Sequence, residues 1–65
     1  MEEIRDVNYK VKYHGPESID LIPGDIYECI AERYTKDGRL MHRGIIDRSD
    51  DSYWYGATSF ERIDD

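Results

Sequence analysis

The chain has 65 residues and one cysteine, so it holds one small domain that must fold without an intramolecular disulfide. A chain of this size buries only about 60% of its unfolded surface and draws on the order of 3–5 kcal/mol from its core, which leaves little interior to hollow into a deep active site. Fifteen Asp and Glu against nine Lys and Arg give a net charge of −6, which disfavours nucleic-acid backbones and anionic membranes as partners.

Met1–Asp6 is charged and is expected to be a loosely held N-terminal segment, with one domain over residues 7–65. It lacks the apolar stretch of a signal peptide, and no apolar run approaches the ~18 residues of a membrane span. A cytoplasmic setting, with no membrane partner, is therefore expected. Val7–Tyr13 alternates, with Val7, Tyr9, Val11 and Tyr13 on one face and Asn8, Lys10 and Lys12 on the other, and reads as a half-buried strand. His14–Ser18 is a short loop punctuated by Gly15-Pro16. Ile19–Ile22 reads as a short extended piece, and Pro23-Gly24-Asp25 as a tight turn in which proline pre-sets one dihedral and glycine permits positive φ.

Asp25–Tyr34 carries Ile26 and Ile30 at helical spacing, but the Asp37-Gly38 pair that follows is a hairpin signal and decides for strand. Arg39–Asp47 is its return partner, with Gly44 marking a bulge or a close backbone approach. Arg48–Ser52 is a polar turn, Tyr53-Trp54-Tyr55 a β-prone strand, Gly56–Ser59 a break, and Phe60–Ile63 the closing segment. Five short strands in this length predict an all-β fold, a small antiparallel barrel or partly open sandwich.

Ile19–Ile30, IDLIPGDIYECI, resembles the segment of Src-homology-3 domains in which two apolar residues precede a Gly-acidic turn and a strand follows. The resemblance implies that Ile19 and Leu21 enter the core before the turn and that Tyr27, Cys29 and Ile30 enter it afterwards. It also puts Tyr9–Tyr13 at the family's first aromatic strand and Ala57–Phe60 at its short 3₁₀ turn before the last strand. The chain is likewise similar to a group of short bacterial barrel proteins with a Gly-x-Ile-Tyr-Glu strand, an Ile-Ile-Asp run, an aromatic strand and a terminal Phe-Glu. Here these are Gly24–Glu28, Ile45–Asp47, Tyr53–Tyr55 and Phe60-Glu61. Peptide-binding Src-homology-3 domains have a long acidic loop after the first strand, paired tryptophans at the start of the third, and a proline in the 3₁₀ turn. This chain has the short His14–Ser18 loop, Arg39-Leu40-Met41-His42 and Ala57 instead, so proline-rich peptide binding, which needs a groove of stacked aromatics, is not carried over.

No residue set matches a catalytic motif. Asp47-x-Ser49-x-Asp51 starts like a calcium loop, but Ser52 stands where glycine is needed and Thr58 where a bidentate Glu is needed, so a polar hairpin turn is the better reading. Cys29, His14 and His42 fall short of a zinc set, and Glu28 and Glu32 make the surroundings of Cys29 too acidic for a reactive thiolate. A buried structural thiol is expected, with no cofactor and no metal. Six tyrosines and one tryptophan exceed what so small a core encloses. Trp54 and the Tyr53/Tyr55 pair point to opposite sides of their strand, so at least one set is partly exposed. Tyrosine and tryptophan favour interfaces because a large contact area carries a polar handle.

The expectation is a non-enzymatic protein-interaction or accessory domain, with Tyr13, Trp54 and Tyr55 as partner contacts. The alternatives are an acidic mimic of nucleic acid that blocks a nucleic-acid-binding protein, and a homo-oligomeric module, such as a homodimer, paired through the strand edge beside Tyr53–Tyr55.

Overall fold

The computed structural model describes residues 2–63. Met1, the first residue of the expected N-terminal segment, and Asp64 and Asp65, the last two of the expected domain, lie outside the described residues. Five strands form, β1 (Glu3–Tyr13), β2 (Ile26–Tyr34), β3 (Leu40–Ile46), β4 (Ser52–Gly56) and β5 (Phe60–Ile63), with a 3₁₀ turn at Ala57–Ser59. All adjacent pairs are antiparallel, in the order β4-β3-β2-β1-β5. The expected all-β architecture, with its 3₁₀ turn before the last strand, is the one that forms. Hydrogen bonds do not close it into a barrel, because β4 and β5 stand at opposite ends of the sheet order.

The alternation in β1 sets the inner face. Val11 and Tyr13 are buried there with Leu21, Tyr27, Cys29, Ile45 and Phe60, and Val7, Tyr9 and Tyr55 pack against them. The turns behave as their residues require: Gly24 has φ 90° and Gly38 φ 85°, values that an L side chain resists. The 3₁₀ turn buries Ala57 and passes the chain directly into Phe60, whose ring lies 5.1 Å from Tyr13 and 5.9 Å from Tyr55.

Three expectations are corrected. β1 begins at Glu3, so Glu3–Asp6 is not loose but pairs with Ala31–Tyr34 of β2. Ile19 is 90% exposed while Leu21 is 3% exposed. The backbone there is curled rather than extended: Ser18 N–H donates to Leu21 O at 2.9 Å and Leu21 N–H to Ser18 Oγ at 3.2 Å, so alternation does not govern which side chains turn inward. Ile30 is half-buried on the side opposite Cys29, because the β2–β3 register shifts between Cys29 and Ala31. That bulge turns both Ile30 and Ala31 to the outer face and brings Glu32 to the inner one.

Gly44 is a site of close approach. A Cβ there would lie 3.2 Å from Ala31 Cβ and 3.6 Å from Trp54 Cζ3, so a side chain has no free volume to enter.

Two substitutions separate the corrected core from the expected one. Leu21→Ala should lower stability by about 2–4 kcal/mol, whereas Ile19→Ala should stay within about 0.5 kcal/mol of the parent, both read by urea denaturation. Equal losses would return Ile19 to the core.

Candidate functional site

β4 supplies the exposed aromatic surface. Its central Trp54 is paired with Gly44 and is 41% exposed, and Tyr53, on the other side of the strand, is 53% exposed. Glycine at position 44 and alanine at 31 let the indole lie low against the sheet. Beside it runs a shallow groove of about 150 Å³ lined by Ile30, Ala31, Gly44, Ser52, Tyr53 and Trp54. Small-molecule sites need about 300–1,000 Å³, so this groove suits one inserted side chain. A second depression between Lys10, Ile26, Ile46 and Asp50 is crossed by the Lys10–Glu28 ion pair at 3.8 Å.

Of the three expected contact residues, the structure leaves one open. Trp54 faces solvent. Tyr13 is 5% exposed, packs on Phe60 and donates its hydroxyl to Pro16 O at 2.6 Å, so it has no surface to offer a partner. Tyr55 is half-buried against the core and donates to Asp47 Oδ2 at 2.5 Å. The aromatic surplus is therefore spent in both ways: Tyr13 and Tyr55 pack, while Tyr53 and Trp54 stand out.

At the other end of the inner face, polar groups take over from apolar ones. Glu32 is 9% exposed and accepts hydrogen bonds from Tyr9 Oη and, at 2.7 Å, from Tyr34 Oη. Arg43 Nη1 donates to Tyr9 Oη and lies 3.7 Å from Glu32 Oε2. The guanidinium of Arg62 sits 4.1 Å above the Tyr9 ring and that of Arg5 4.7 Å above the Tyr34 ring. β1, β2, β3 and β5 each contribute, so the cluster ties four strands through one carboxylate. Burial pushes the Glu32 carboxyl up, but hydrogen bonds from Tyr9 and Tyr34 and the charges of Arg43 and Arg62 outweigh it and hold it below its ordinary value. Burial and the bond to Glu32 raise the Tyr9 phenol; Tyr34 is raised first by the same carboxylate. Both phenols and the carboxylate are thus held in their neutral-pH protonation states. The arrangement stabilises a fold and leaves no group poised to exchange a proton at neutral pH.

The acidic turn works in the same way. Asp47 is 5% exposed and accepts from Ser49 N–H at 2.9 Å, from Ser49 Oγ and from Tyr55 Oη. Burial opposes its charge, but these bonds together lower its pKa, while burial and Asp47 raise that of Tyr55. Asp50 takes a left-handed φ of 68°, and its N–H donates to Asp47 O at 3.0 Å. His14 lies against Glu61 at 2.9 Å at the mouth of β1 and β5, whereas His42 is in β3. Cys29 is fully buried and its thiol contacts Ala31 O at 3.3 Å. Among the described residues no three His, Cys, Asp or Glu side chains group as metal ligands.

No family model, curated protein or solved structure matches this chain. Its geometry therefore carries the functional reading. The Glu32 cluster escaped sequence reading because strict alternation from Cys29 places Glu32 outward beside Glu28. The one available signal was the adjacent apolar pair Ile30-Ala31, which breaks the alternation where the bulge falls.

Glu32 gives a signed pH dependence. Its folded pKa lies below the ordinary 4.5, so its contribution is present above that value and is lost as pH falls through the folded pKa. Glu32→Gln should cost about 1–3 kcal/mol at neutral pH and should narrow the stability gap between neutral and acidic solution, measured by urea denaturation across pH. An unchanged gap would remove Glu32 from the acid response.

Proposed function

We propose that the chain is a non-enzymatic protein-interaction domain of the Src-homology-3-like barrel type, acting in the cytoplasm and presenting Trp54 to its partner. The observation that carries this reading is an exposed tryptophan beside a groove of side-chain size on an otherwise charged surface. Tryptophan is enriched among the few interface residues that dominate binding, and a pocket next to it is where a partner's anchor would seat.

The barrel reading draws support from the 3₁₀ turn between β4 and β5, from the return of β5 to β1, and from Leu21, Tyr27 and Cys29 flanking the Pro23-Gly24 turn in the core. A polyproline groove has less support. Tyr13 and Tyr55, which could have supplied aromatic walls, pack inward. An acidic mimic of nucleic acid is also weaker. Glu2, Glu3, Glu28 and Glu32 each lie beside a cation, and Asp47 is spent within its turn, so fewer free carboxylates remain to imitate phosphates.

The test compares wild type and Trp54→Ala as affinity baits in host lysate, read by mass spectrometry, with circular dichroism to establish equal folding. A protein held by wild type in stoichiometric amount, and reduced at least tenfold by Trp54→Ala, is expected; a loss of about 2 kcal/mol at a hot spot corresponds to such a change. Identical recovery on both baits would remove Trp54 from any contact face.

A further inference from the structure

The two edges of the sheet are protected differently. β5 has four residues and carries Glu61 and Arg62, the charged short edge that discourages strand addition. β4 reads Ser52-Tyr53-Trp54-Tyr55-Gly56, with no charge, no proline and no register shift against β3. Ser52, Tyr53, Trp54 and Gly56 are exposed, and among the described residues no turn or loop backbone hydrogen bond reaches these five positions. The free side of β4 therefore offers a row of unpaired N–H and C=O groups flanked by aromatics, with none of the usual guards.

We propose that β4 pairs antiparallel with β4 of a second copy of this chain, across a two-fold axis at Trp54. Self-pairing suits this strand on three counts. Centring on Trp54 aligns all five residues, placing Trp54 opposite its own equivalent, Tyr53 opposite the second copy's Tyr55, and Ser52 opposite the second copy's Gly56. Aromatic cross-strand pairs are among the favourable ones. No charged residue lies within the paired strand, so two chains of net charge −6 meet where neither presents charge. Pairing also consumes the open edge of each copy, and the charged β5 edges are left outside, so the assembly closes at two.

Area sets the strength. A stable interface takes about 800 Å² per partner, roughly a sixth of the 4568 Å² surface of this chain. A five-residue edge covers less, which places the dimer on the order of 100 μM rather than among obligate assemblies. This pairing is independent of Trp54's role toward another protein, because its test leaves Trp54 in place.

The test uses the Ser52–Gly56 cross-pair. Gly56 has φ −58° and no atom within 4 Å of the place a Cβ would take, and Ser52 is exposed, so both positions accept substitution. S52D/G56D sets like charges opposite each other twice across the axis; S52K/G56D sets opposite charges there. Sedimentation equilibrium of wild type up to about 1 mM should reach twice 7.7 kDa and no further. S52D/G56D should weaken association about tenfold, and S52K/G56D should restore it to the wild-type range or tighter. Circular dichroism and thermal melts establish that each variant is folded. A wild-type monomer across the range overturns the proposal. So does a dimer indifferent to both variants, equal weakening by folded forms of both, or growth beyond two chains.

Discussion

One carboxylate fixes the order of this sheet at its polar end. Glu32 is buried on the inner face where the apolar core runs out, and it is stable there because two phenols donate to it and Arg43 stands beside it. Desolvation opposes a charge at that depth, and the hydrogen bonds and cations outweigh it. Arg62 from β5 and Arg5 from β1 lie over the tyrosine rings, so the same cluster reaches strands that are not neighbours in sequence. A sheet whose end strands do not hydrogen-bond to each other has few other ways to hold that end together.

This arrangement divides the molecule. The inner face is used up: its apolar half by Val11, Tyr13, Tyr27, Cys29, Ile45 and Phe60, its polar half by Glu32 and its partners. The second buried acid, Asp47, closes the β3–β4 turn onto Tyr55 and so fixes where β4 begins. What remains available lies around β4: Trp54 over Gly44, the small groove beside it, and an edge without charges. Packing thus determines recognition, since Gly44 lets the indole lie against the sheet while leaving much of it in solvent.

The features legible in sequence are those set by local chemistry. Alternation in Val7–Tyr13, the glycines of two turns, the β-prone Tyr53–Tyr55 and the Ala57–Ser59 break lead to the strands and 3₁₀ turn observed. The illegible parts depend on a count of one residue. A single bulge between Cys29 and Ala31 reverses the faces of everything after it, which moves Ile30 out and Glu32 in. Ile19 is misplaced for a related reason, because two hydrogen bonds between Ser18 and Leu21 replace extended backbone with a curl. Of the aromatic contacts, Trp54 follows from its place at the middle of an edge strand. The inward turn of Tyr13 and Tyr55 depends on partners, Pro16 O and the Asp47 carboxylate, whose placement arises from tertiary structure.

The central claim is that Glu32 and Tyr9 act as one unit. A double-mutant cycle of Tyr9→Phe and Glu32→Gln, measured by urea denaturation at neutral pH, tests it most directly. Groups sharing one hydrogen-bond network should be coupled by about 1–2 kcal/mol, so that the double variant loses clearly less than the two single losses added together. Additive losses, within about 0.3 kcal/mol, would mean that the two side chains act separately and that the open end of the sheet is held by something else.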